Sequence, residues 1–470
     1  DDEALDINED FRNLMKKTLS KRRKMAVVRL ETANPLTENM ERYFCDRFCI
    51  TPKQIFRTKM PMKLSYIFSV AEKVPEHMRR TLVYEPFVPQ KSAMVDEETS
   101  MIRQIRKKDI LLSYPYESME PFLKLLKEAS TDPSVVTIKI TIYRLSKKAR
   151  LVEYLCAAAE NGKEVTVLIE LRARFDEQNN IDWSERLEDA GCRVIYGFEN
   201  YKVHSKICLI TCKTRNGYQY ITQIGTGNYN EKTAAMYTDV CLMTADREIG
   251  QDGATFFQNM CMGNLGGSYR HLLVSPYSLK KKVLELIEEE TRKGENGRII
   301  MKMNSVTDVD FIEQISRASR AGVEVDLLVR GICCIRPGVE GYTDHVRVTS
   351  IVGRFLEHPR IFSFGRGSAQ KLYIGSADMM TRNTEKRVEV ACPVYDEDLR
   401  ARLNHMLQVM LEDNVKARVL DAAGTYLKMG QGEPFVDAQE VFMQEAVQAA
   451  AVKKPAKRSI REVLFGIFRR

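Results

Sequence analysis

Alternation of hydrophobic and polar positions predicts a βαβ unit in the middle of the chain. Residues 136–142 alternate with the period of a strand, and an amphipathic helix follows from 149 to 161. Gly162 then stands where a left-handed helix cap is favoured, and residues 165–171 form the next apolar run. Because parallel strands need a crossover between them, the pattern indicates strand, helix and parallel strand.

The same pattern returns about 160 residues later. Residues 299–304 predict a strand, 309–321 a helix, Gly322 its cap, and 323–329 the next strand. A period of this length indicates an internal duplication. In the resulting alignment Arg144 corresponds to Asn304, so we expect the two copies to do different work.

These patterns divide the chain into four predicted segments. Residues 1–95 form an α+β head-like module that begins with a basic helix from Phe11 to Arg23, and prolines near 86–89 mark a linker. The two related domains cover 96–270 and 271–415, and 416–470 is a C-terminal extension with a basic tail. The predicted class is therefore α/β and α+β multidomain.

A repeated pair of motifs supplies the candidate chemistry. In the strand interpretation of V-H-S-K-I-C-L-I, His204 and Lys206 share one face, and the small residues 225–228 follow. The second copy has H-P-R at 358–360 and again a small-residue segment at 375–378. Small residues let backbone N–H groups approach a phosphate closely. Two copies indicate one composite phosphate site at the seam between the domains.

Cations at strand ends fit a phosphoryl-transfer site. A transferring phosphoryl group carries spread negative charge, which cations and backbone donors stabilise. A largely neutral imidazole can attack phosphorus, while the second histidine donates a proton or braces the leaving oxygen. The cations that end predicted strands are Arg144, Arg174, Lys206, Arg330 and Arg360.

Composition narrows the remaining possibilities. Most of the net charge of +8 comes from residues 453–470, so a binding site for a polyanion elsewhere in the chain must be a local cluster of cations. The basic tail could contact a membrane surface, but we prefer a tail that is solvated or bound to a partner. Eleven cysteines without a Cys-x-x-Cys pair predict reduced thiols and a cytoplasmic protein. His204, Cys208 and Cys212 recur every four residues, but they lie in a strand pattern that does not favour a metal site.

The motifs resemble the phospholipase D superfamily, in which a histidine forms a phosphoenzyme. That superfamily places an Asp seven residues after the histidine, where this chain has Thr211 and Gly365, which argues against a phosphodiesterase. Longer strings closely resemble the large, phospholipase-D-like polyphosphate kinases of bacteria: T-I-Y-R at 141–144, E-L-R-A-R-F-D-E-Q-N-N-I at 170–181, G-T-G-N-Y-N-E-K-T-A at 225–234, R-G-I-C-C-I-R-P-G-V at 330–339 and S-I-V-G-R-F-L-E-H at 350–358.

The resemblance implies two phospholipase-D-like catalytic domains and reversible transfer of the ATP γ-phosphate to polyphosphate through a phosphohistidine. His204 would be phosphorylated and His358 would be the second active-site histidine. Family magnesium positions fall on Arg144 and Arg174; a guanidinium has no lone pair for a metal, so both are interpreted as phosphate clamps beside Mg²⁺. The predicted catalytic set is His204, His358, Lys206 and Arg360, and the predicted ATP or phosphate contacts are Tyr237, Arg330, His358, Arg144, Arg174, Gly225, Gly227 and Asn228.

The expected partners are ATP or ADP and polyphosphate, without nucleic acid, in a full-length homo-oligomer. Family members carry an N-terminal helical domain that supplies an asparagine near the base, and the resemblance implies that this chain starts after it. Two alternatives stay open: a phosphodiesterase acting on lipid or nucleic acid, and a polyphosphate-binding fragment without activity.

Overall fold

The computed structural model describes residues 11–22, 25–146, 148–173, 176–198, 200–430 and 432–452. The chain divides into two compact units, residues 1–87 and 88–470. No helix in the described ranges is long and apolar enough to cross a bilayer.

The first unit combines helices with a small parallel sheet. Thr37 begins the second helix by accepting a hydrogen bond from the amide of Met40, as an N-cap should. The predicted basic helix is present, although Arg23 and Lys24 lie outside the described residues. The elements are α1 (Phe11–Arg22), β1 (Leu30–Thr32), α2 (Glu38–Phe48), β2 (Ile55–Arg57), α3 (Tyr66–Lys73) and α4 (Glu76–Leu82).

The second unit begins with a mixed sheet. Seven of its strands run in the order β3-β10-β9-β8-β4-β5-β6, and among these seven only the neighbours β4-β5 and β5-β6 are parallel. The elements are α5 (Met101–Lys107), β3 (Ile110–Tyr114), α6 (Glu120–Thr131), β4 (Val135–Ile142), α7 (Arg150–Glu160), β5 (Glu164–Ile169), α8 (Glu177–Asp189), β6 (Arg193–Ile195), β7 (Lys202–Val203), β8 (Ile207–Thr214), β9 (Gly217–Gly225), α9 (Glu231–Ala234), β10 (Tyr237–Thr244) and α10 (Arg247–Cys261).

A second mixed sheet follows, in the order β11-β18-β17-β16-β12-β13-β14-β19-β20. Apolar residues of α11 and α12 pack against its central strands. The elements are β11 (Leu273–Ser275), α11 (Leu279–Thr291), β12 (Arg298–Met303), α12 (Val309–Arg320), β13 (Glu324–Val329), β14 (Val346–Ile351), β15 (Leu356–Glu357), β16 (Arg360–Phe364), β17 (Lys371–Gly375), α13 (Thr381–Glu385), β18 (Arg387–Pro393), α14 (Glu397–Glu412), β19 (Ala417–Leu420), β20 (Tyr426–Lys428) and α15 (Ala438–Ala451).

The two sheets repeat one topology, since seven strands of each follow the same order with the same parallel and antiparallel neighbours. We call the sequence from β3 to α10 the first copy and that from β11 to α14 the second copy. The predicted class, α/β and α+β with two related sheet-rich domains, is confirmed.

Two details of the sequence alignment are wrong. The strand expected across His204 and Lys206 is broken: β7 ends at Val203 and β8 begins at Ile207, so both residues lie in the link between strands. The strand register also changes one correspondence, because Ile142 opposes Ile169 in the first sheet and Met303 opposes Val329 in the second. Ile142 and Met303 are therefore equivalent, so the counterpart of Asn304 is Tyr143 and not Arg144.

The region after 415 contains more structure than the sequence indicated. Strand β19 pairs with β14, so the second sheet continues past the predicted domain boundary. Helix α15 begins at an N-cap, Asp437, whose side chain accepts from the amide of Glu440. The predicted basic tail, 453–470, lies outside the described residues.

Candidate active site

The two copies exchange short strands, and each exchanged strand leads directly into a histidine. Strand β7 leaves the first copy and pairs in parallel with β18 of the second, with Val203 opposite Val388. Strand β15 makes the reciprocal pairing with β10, with Glu357 opposite Thr238. The exchange brings His204 onto the second copy and His358 onto the first.

A carboxylate of the second copy orients His204. Nδ1 of His204 lies 2.9 Å from both carboxylate oxygens of Glu389, and the hydroxyl of Ser376 donates to the same carboxylate. The Tyr143 ring meets the imidazole edge-on, with centroids 4.9 Å apart. If the Nδ1 proton is donated to Glu389, the lone pair of Nε2 is left for chemistry.

His358 has the matching arrangement on the first copy. Its Nδ1 lies 2.8 and 3.0 Å from the two oxygens of Asp239, and Thr226 donates to Asp239 Oδ1 at 2.6 Å. The Tyr237 ring lies 5.4 Å from the imidazole, centroid to centroid. Each site therefore consists of histidine, carboxylate and hydroxyl, with the last two on the opposite copy.

Burial and surrounding cations keep His204 neutral. Burial, with the charges of Lys206, Arg387 and Arg360, lowers the pKa of His204 well below its ordinary value. Burial also raises the pKa of Glu389 to about 7, against the opposing effect of Lys206 and Arg387. A neutral imidazole is the form that can attack phosphorus.

His358 is also held neutral, and the two sites influence each other. Burial lowers the pKa of His358, Asp239 opposes this, and Arg360 and Lys206 lower it further. Arg360 and Lys206 likewise lower the pKa of His204. Both imidazoles are therefore influenced by the same two cations, and that they act as a pair stays a prediction.

The cations two residues after each histidine differ in their partners. Arg360 makes a two-pronged contact with Asp378, Nε to Oδ1 and Nη2 to Oδ2 both 3.2 Å, and donates to the carbonyl of His358 at 2.9 Å. Lys206 is 1% exposed, donates to the carbonyl of His204, and forms no ion pair with any described carboxylate. Burial lowers the pKa of Lys206 well below its ordinary value. An anion that arrives here would stabilise the charged form.

The small-residue segment 225–228 forms hydrogen bonds and packing contacts within the protein that the sequence did not predict. The amides of Gly225 and Thr226 donate to the carbonyls of Lys206 and Val240, both at 3.0 Å, so the expected phosphate cradle is not open at these two positions. A Cβ on Gly227 would lie 2.1 Å from Asp239 Oδ2, so this glycine is needed for the carboxylate to pack.

Asn228 occupies the position that Asp378 holds in the second copy. Its Oδ1 is buried without a hydrogen-bond partner among the described residues. Phosphate binding by Gly227 and Asn228 stays a prediction.

The remaining predicted contacts lie around the histidines. Arg330 Nε is 2.8 Å from Asn304 Oδ1 and also donates to the carbonyl of Glu357, next to His358. Arg144 Nε lies 2.8 Å from Asp176 Oδ2, and the Arg144 guanidinium stands 5.5 Å from the Tyr143 ring. Arg174 lies outside the described residues.

Several residues of the site were not predicted from the sequence, namely Glu389, Asp239, Ser376, Arg387 and Tyr143. One signal was available: Asp239 and Glu389 are 150 residues apart, as are Gly225 and Gly375. A search for carboxylates at that offset would have found both.

The residues present do not fit a directly ligated Mg²⁺. No cluster of three potential His, Cys, Asp or Glu ligands exists in the described ranges. A magnesium ion prefers oxygen ligands, and Arg144 offers only N–H donors.

The fold and site define a duplicated α/β protein in which each half orients the other half's histidine within a shared cationic region. The chain belongs to the polyphosphate kinase family, because three of its family models match: C-terminal domain 1 at residues 100–264, C-terminal domain 2 at 272–439 and the middle domain at 2–70.

Individual relatives agree with this assignment. The chain is 39% identical to a polyphosphate kinase of Staphylococcus epidermidis and 40% identical to one of Halalkalibacterium halodurans, over 94% and 93% of its length. It spans 60% and 63% of those two proteins. A crystal structure of polyphosphate kinase from Porphyromonas gingivalis superposes with a TM-score of 0.81 at 34% identity, covering 91% of this chain and 66% of the other.

Proposed function

We propose that the chain carries the catalytic part of a polyphosphate kinase, which transfers the γ-phosphate of ATP reversibly to the end of inorganic polyphosphate through phospho-His204. One observation carries the proposal: the two copies each deliver a histidine to the other's carboxylate, at 2.9 Å for His204 and Glu389 and 2.8 Å for His358 and Asp239. Membership of the family supplies the substrate class.

In the first step, Nε2 of His204 attacks the γ-phosphorus. A bond forms between Nε2 and phosphorus, and the bond between phosphorus and the bridging oxygen breaks, so that ADP leaves. The imidazole gains positive charge as it attacks, and the carboxylate of Glu389 at Nδ1 stabilises that charge. Because the imidazole is neutral beforehand, no proton must first be removed from Nε2.

In the second step, a terminal oxygen of polyphosphate attacks the phosphohistidine. The bond from phosphorus to Nε2 breaks, and the chain grows by one phosphate. Neutral His358 accepts the proton that the attacking oxygen loses and returns it in the reverse direction, and Lys206 offsets the charge on the transferring group. Arg330, Tyr237 and Arg144 are assigned to the nucleotide and its phosphates.

The positions of the cations support separate roles. Arg360 is committed to Asp378 and to backbone carbonyls, so it fixes His358 rather than binding phosphate directly. Burial lowers the pKa of Lys206, so an incoming anion would stabilise its charged form. Mg²⁺ enters the proposal only as a counter-ion held by ATP phosphates. A cytoplasmic location is supported by eleven free cysteines.

The test is incubation of the purified chain with γ-labelled ATP and Mg²⁺. We expect an acid-labile, base-stable label on the protein, formation of labelled polyphosphate, and ATP synthesis when ADP and polyphosphate are supplied instead. The His405→Gln variant, altered at a histidine whose side chain is 51% exposed, serves as the matched control and should behave like the parent.

Other outcomes would contradict the proposal. Hydrolysis of a lipid or nucleic-acid diester without ATP-dependent polymer would identify a phosphodiesterase. Salt-sensitive binding of polyphosphate without any phosphoenzyme would identify a binding fragment.

A further inference from the structure

We propose that Gln439, on helix α15 beyond the duplicated copies, is a positioning residue for His358. The proposal rests on the function assigned above for its catalytic consequence, but its geometric part does not depend on that function. It makes α15 part of the catalytic unit rather than a peripheral extension.

The side chain of Gln439 is buried against the segment that leads into His358. It is 1% exposed, and its Nε2 donates to the carbonyl of Phe355 at 2.9 Å and to Glu357 Oε1 at 2.7 Å. Its Oε1 accepts from the amide of Phe355 at 2.8 Å. One carboxamide therefore satisfies three buried polar groups, none of which could be left unpaired cheaply.

The chain approaches Gln439 closely because residue 353 is glycine. A Cβ at Gly353 would lie 2.5 Å from Oε1 of Gln439. The contact is therefore a tight one, in which the carboxamide fixes the course of residues 353–357.

Glu357 connects the contact made by Gln439 to His358, the next residue in the chain. Its other oxygen, Oε2, lies 3.1 Å from Thr238 Oγ1 and 3.4 Å from Nζ of the buried Lys302. The amide of His358 lies 3.3 Å from the same Thr238 hydroxyl. A change in the position of Glu357 would thus move both the backbone and the hydrogen-bond partner of His358.

Helix α15 is itself anchored where Gln439 projects. Asp413 accepts from the amide of Ala438 at 2.8 Å, and the ring of Phe442 lies 5.4 Å from that of Tyr116. Tyr116 in turn meets Phe355 edge-on at 5.9 Å. These contacts fix the first turn of α15, from which Gln439 contacts residues 353–357.

The first copy supports its histidine in a different way. There the position of Glu357 is taken by Val203, and the amide of Val203 donates to Glu170 at 2.8 Å. Glu170 follows β5 within the same copy, whereas Gln439 comes from outside the repeat. The role of Gln439 is therefore specific to His358.

The test uses Gln439→Met, which keeps the length of the side chain and removes its hydrogen bonds. The readout is the ring NMR signals of the six histidines in the chain without substrate, assigned by single His→Gln variants. We expect the His358 signal and its titration to shift while the His204 signal stays in place, and turnover to fall by about 10- to 100-fold. The control is Gln444→Met on the exposed face of α15, which should change neither.

An unchanged His358 signal in folded Gln439→Met would overturn the proposal. If that variant does not fold, Gln439→Glu keeps the shape and places a carboxylate against Glu357. The added substitution Glu357→Gln should then return the His358 signal toward its original position, because the hydrogen bond is rebuilt with reversed polarity. A His358 signal that Glu357→Gln leaves displaced would count against the route through Glu357. Since no substrate is present, these results stand even if the chain makes no polyphosphate.

Discussion

The two histidines lie in matching frames, but the charge around them differs. In the second copy, Arg360 is neutralised by Asp378 through two contacts of 3.2 Å. In the first copy, Lys206 has no such ion pair with a described carboxylate, and the equivalent of Asp378 is Asn228. Before any substrate arrives, Arg360 of the second copy therefore has an ion-pair partner, whereas Lys206 of the first copy has none among the described carboxylates.

This difference is the reason why the proposed function places the phosphoryl group on His204 and not on His358. A buried cation without an ion-pair partner is costly, and an anionic ligand lowers that cost. A buried ion pair that is already complete gains little from a further anion. The duplication thus keeps the same strand exchange in both copies, and the proposed function assigns phosphoryl transfer to His204 and support to His358.

The largest expected effect separates the two histidines. For His204→Gln we expect turnover to fall by about 10⁴-fold or more, because no nucleophile is left. For His358→Gln the expected loss is smaller, roughly 10²- to 10³-fold, since only assistance to proton transfer or charge is removed. Steady-state rates in both reaction directions measure the difference. Equal losses from the two substitutions would remove the proposed division of work.

The second effect concerns the carboxylates that orient the rings. Glu389→Gln should slow phosphorylation of His204 by about 10³-fold, because the amide no longer stabilises the charged imidazole. Asp239→Asn should cost roughly tenfold, through displacement of His358.

The pH dependence of the phosphorylation rate tests the role of Glu389 beside His204. With a pKa raised to about 7, Glu389 is protonated at lower pH, donates to Nδ1 and places the histidine proton on Nε2, where it blocks attack. The phosphorylation rate should therefore rise with pH through about 7, and Glu389→Gln should remove that rise. A rise that persists in Glu389→Gln would assign the titration to another group.

A third pair of substitutions gives each copy the residue that the other copy has at the position of Asn228 and Asp378. Asn228→Asp should give Lys206 the partner that Arg360 has, leave the fold intact and lower turnover by about a hundredfold, because one transition-state cation is neutralised. Asp378→Asn should instead destabilise the protein by about 3–5 kcal/mol, since Arg360 is left buried and unpaired. Denaturant unfolding and initial rates together distinguish the two outcomes. A stable, fully active Asn228→Asp protein would show that the open charge at Lys206 is unimportant.

The smallest effect comes from the packing of Asp239. Gly227→Ala introduces a Cβ 2.1 Å from Oδ2 of Asp239, so we expect a loss of about 1–3 kcal/mol in the free energy of unfolding. Gly430→Ala is the control, because a Cβ there meets nothing within 4 Å. Equal stability of the two variants would contradict the close packing.

Local sequence patterns predicted the repeated part of the fold well. Alternation over 136–142 and the glycine caps at 162 and 322 mark elements whose faces are set by short-range periodicity. The predicted helix at 149–161 is observed as Arg150–Glu160. Recurrence of the two histidines also predicted that they act together, which stays a prediction; the structure shows that each contacts a carboxylate of the other copy.

Features that depend on distant contacts were not accessible in this way. Strands β7 and β15 are two residues long, too short to show any period, and their pairing with the opposite copy gives no local signal. Asp239 and Glu389 lie inside buried strands, where a carboxylate shows its role only once its partner is known. Helix α15 was missed because residues 416–470 were interpreted only as a C-terminal extension with a basic tail.

The most direct test of the account locates the phosphate on the protein. After brief exposure to ATP and Mg²⁺, the chain is digested at neutral to basic pH and the peptides are sequenced by mass spectrometry. The account predicts phosphate on the peptide that contains His204 and, in the same digest, none on the peptide that contains His358. Phosphate on His358, or modification of neither histidine while polyphosphate is being made, would contradict it.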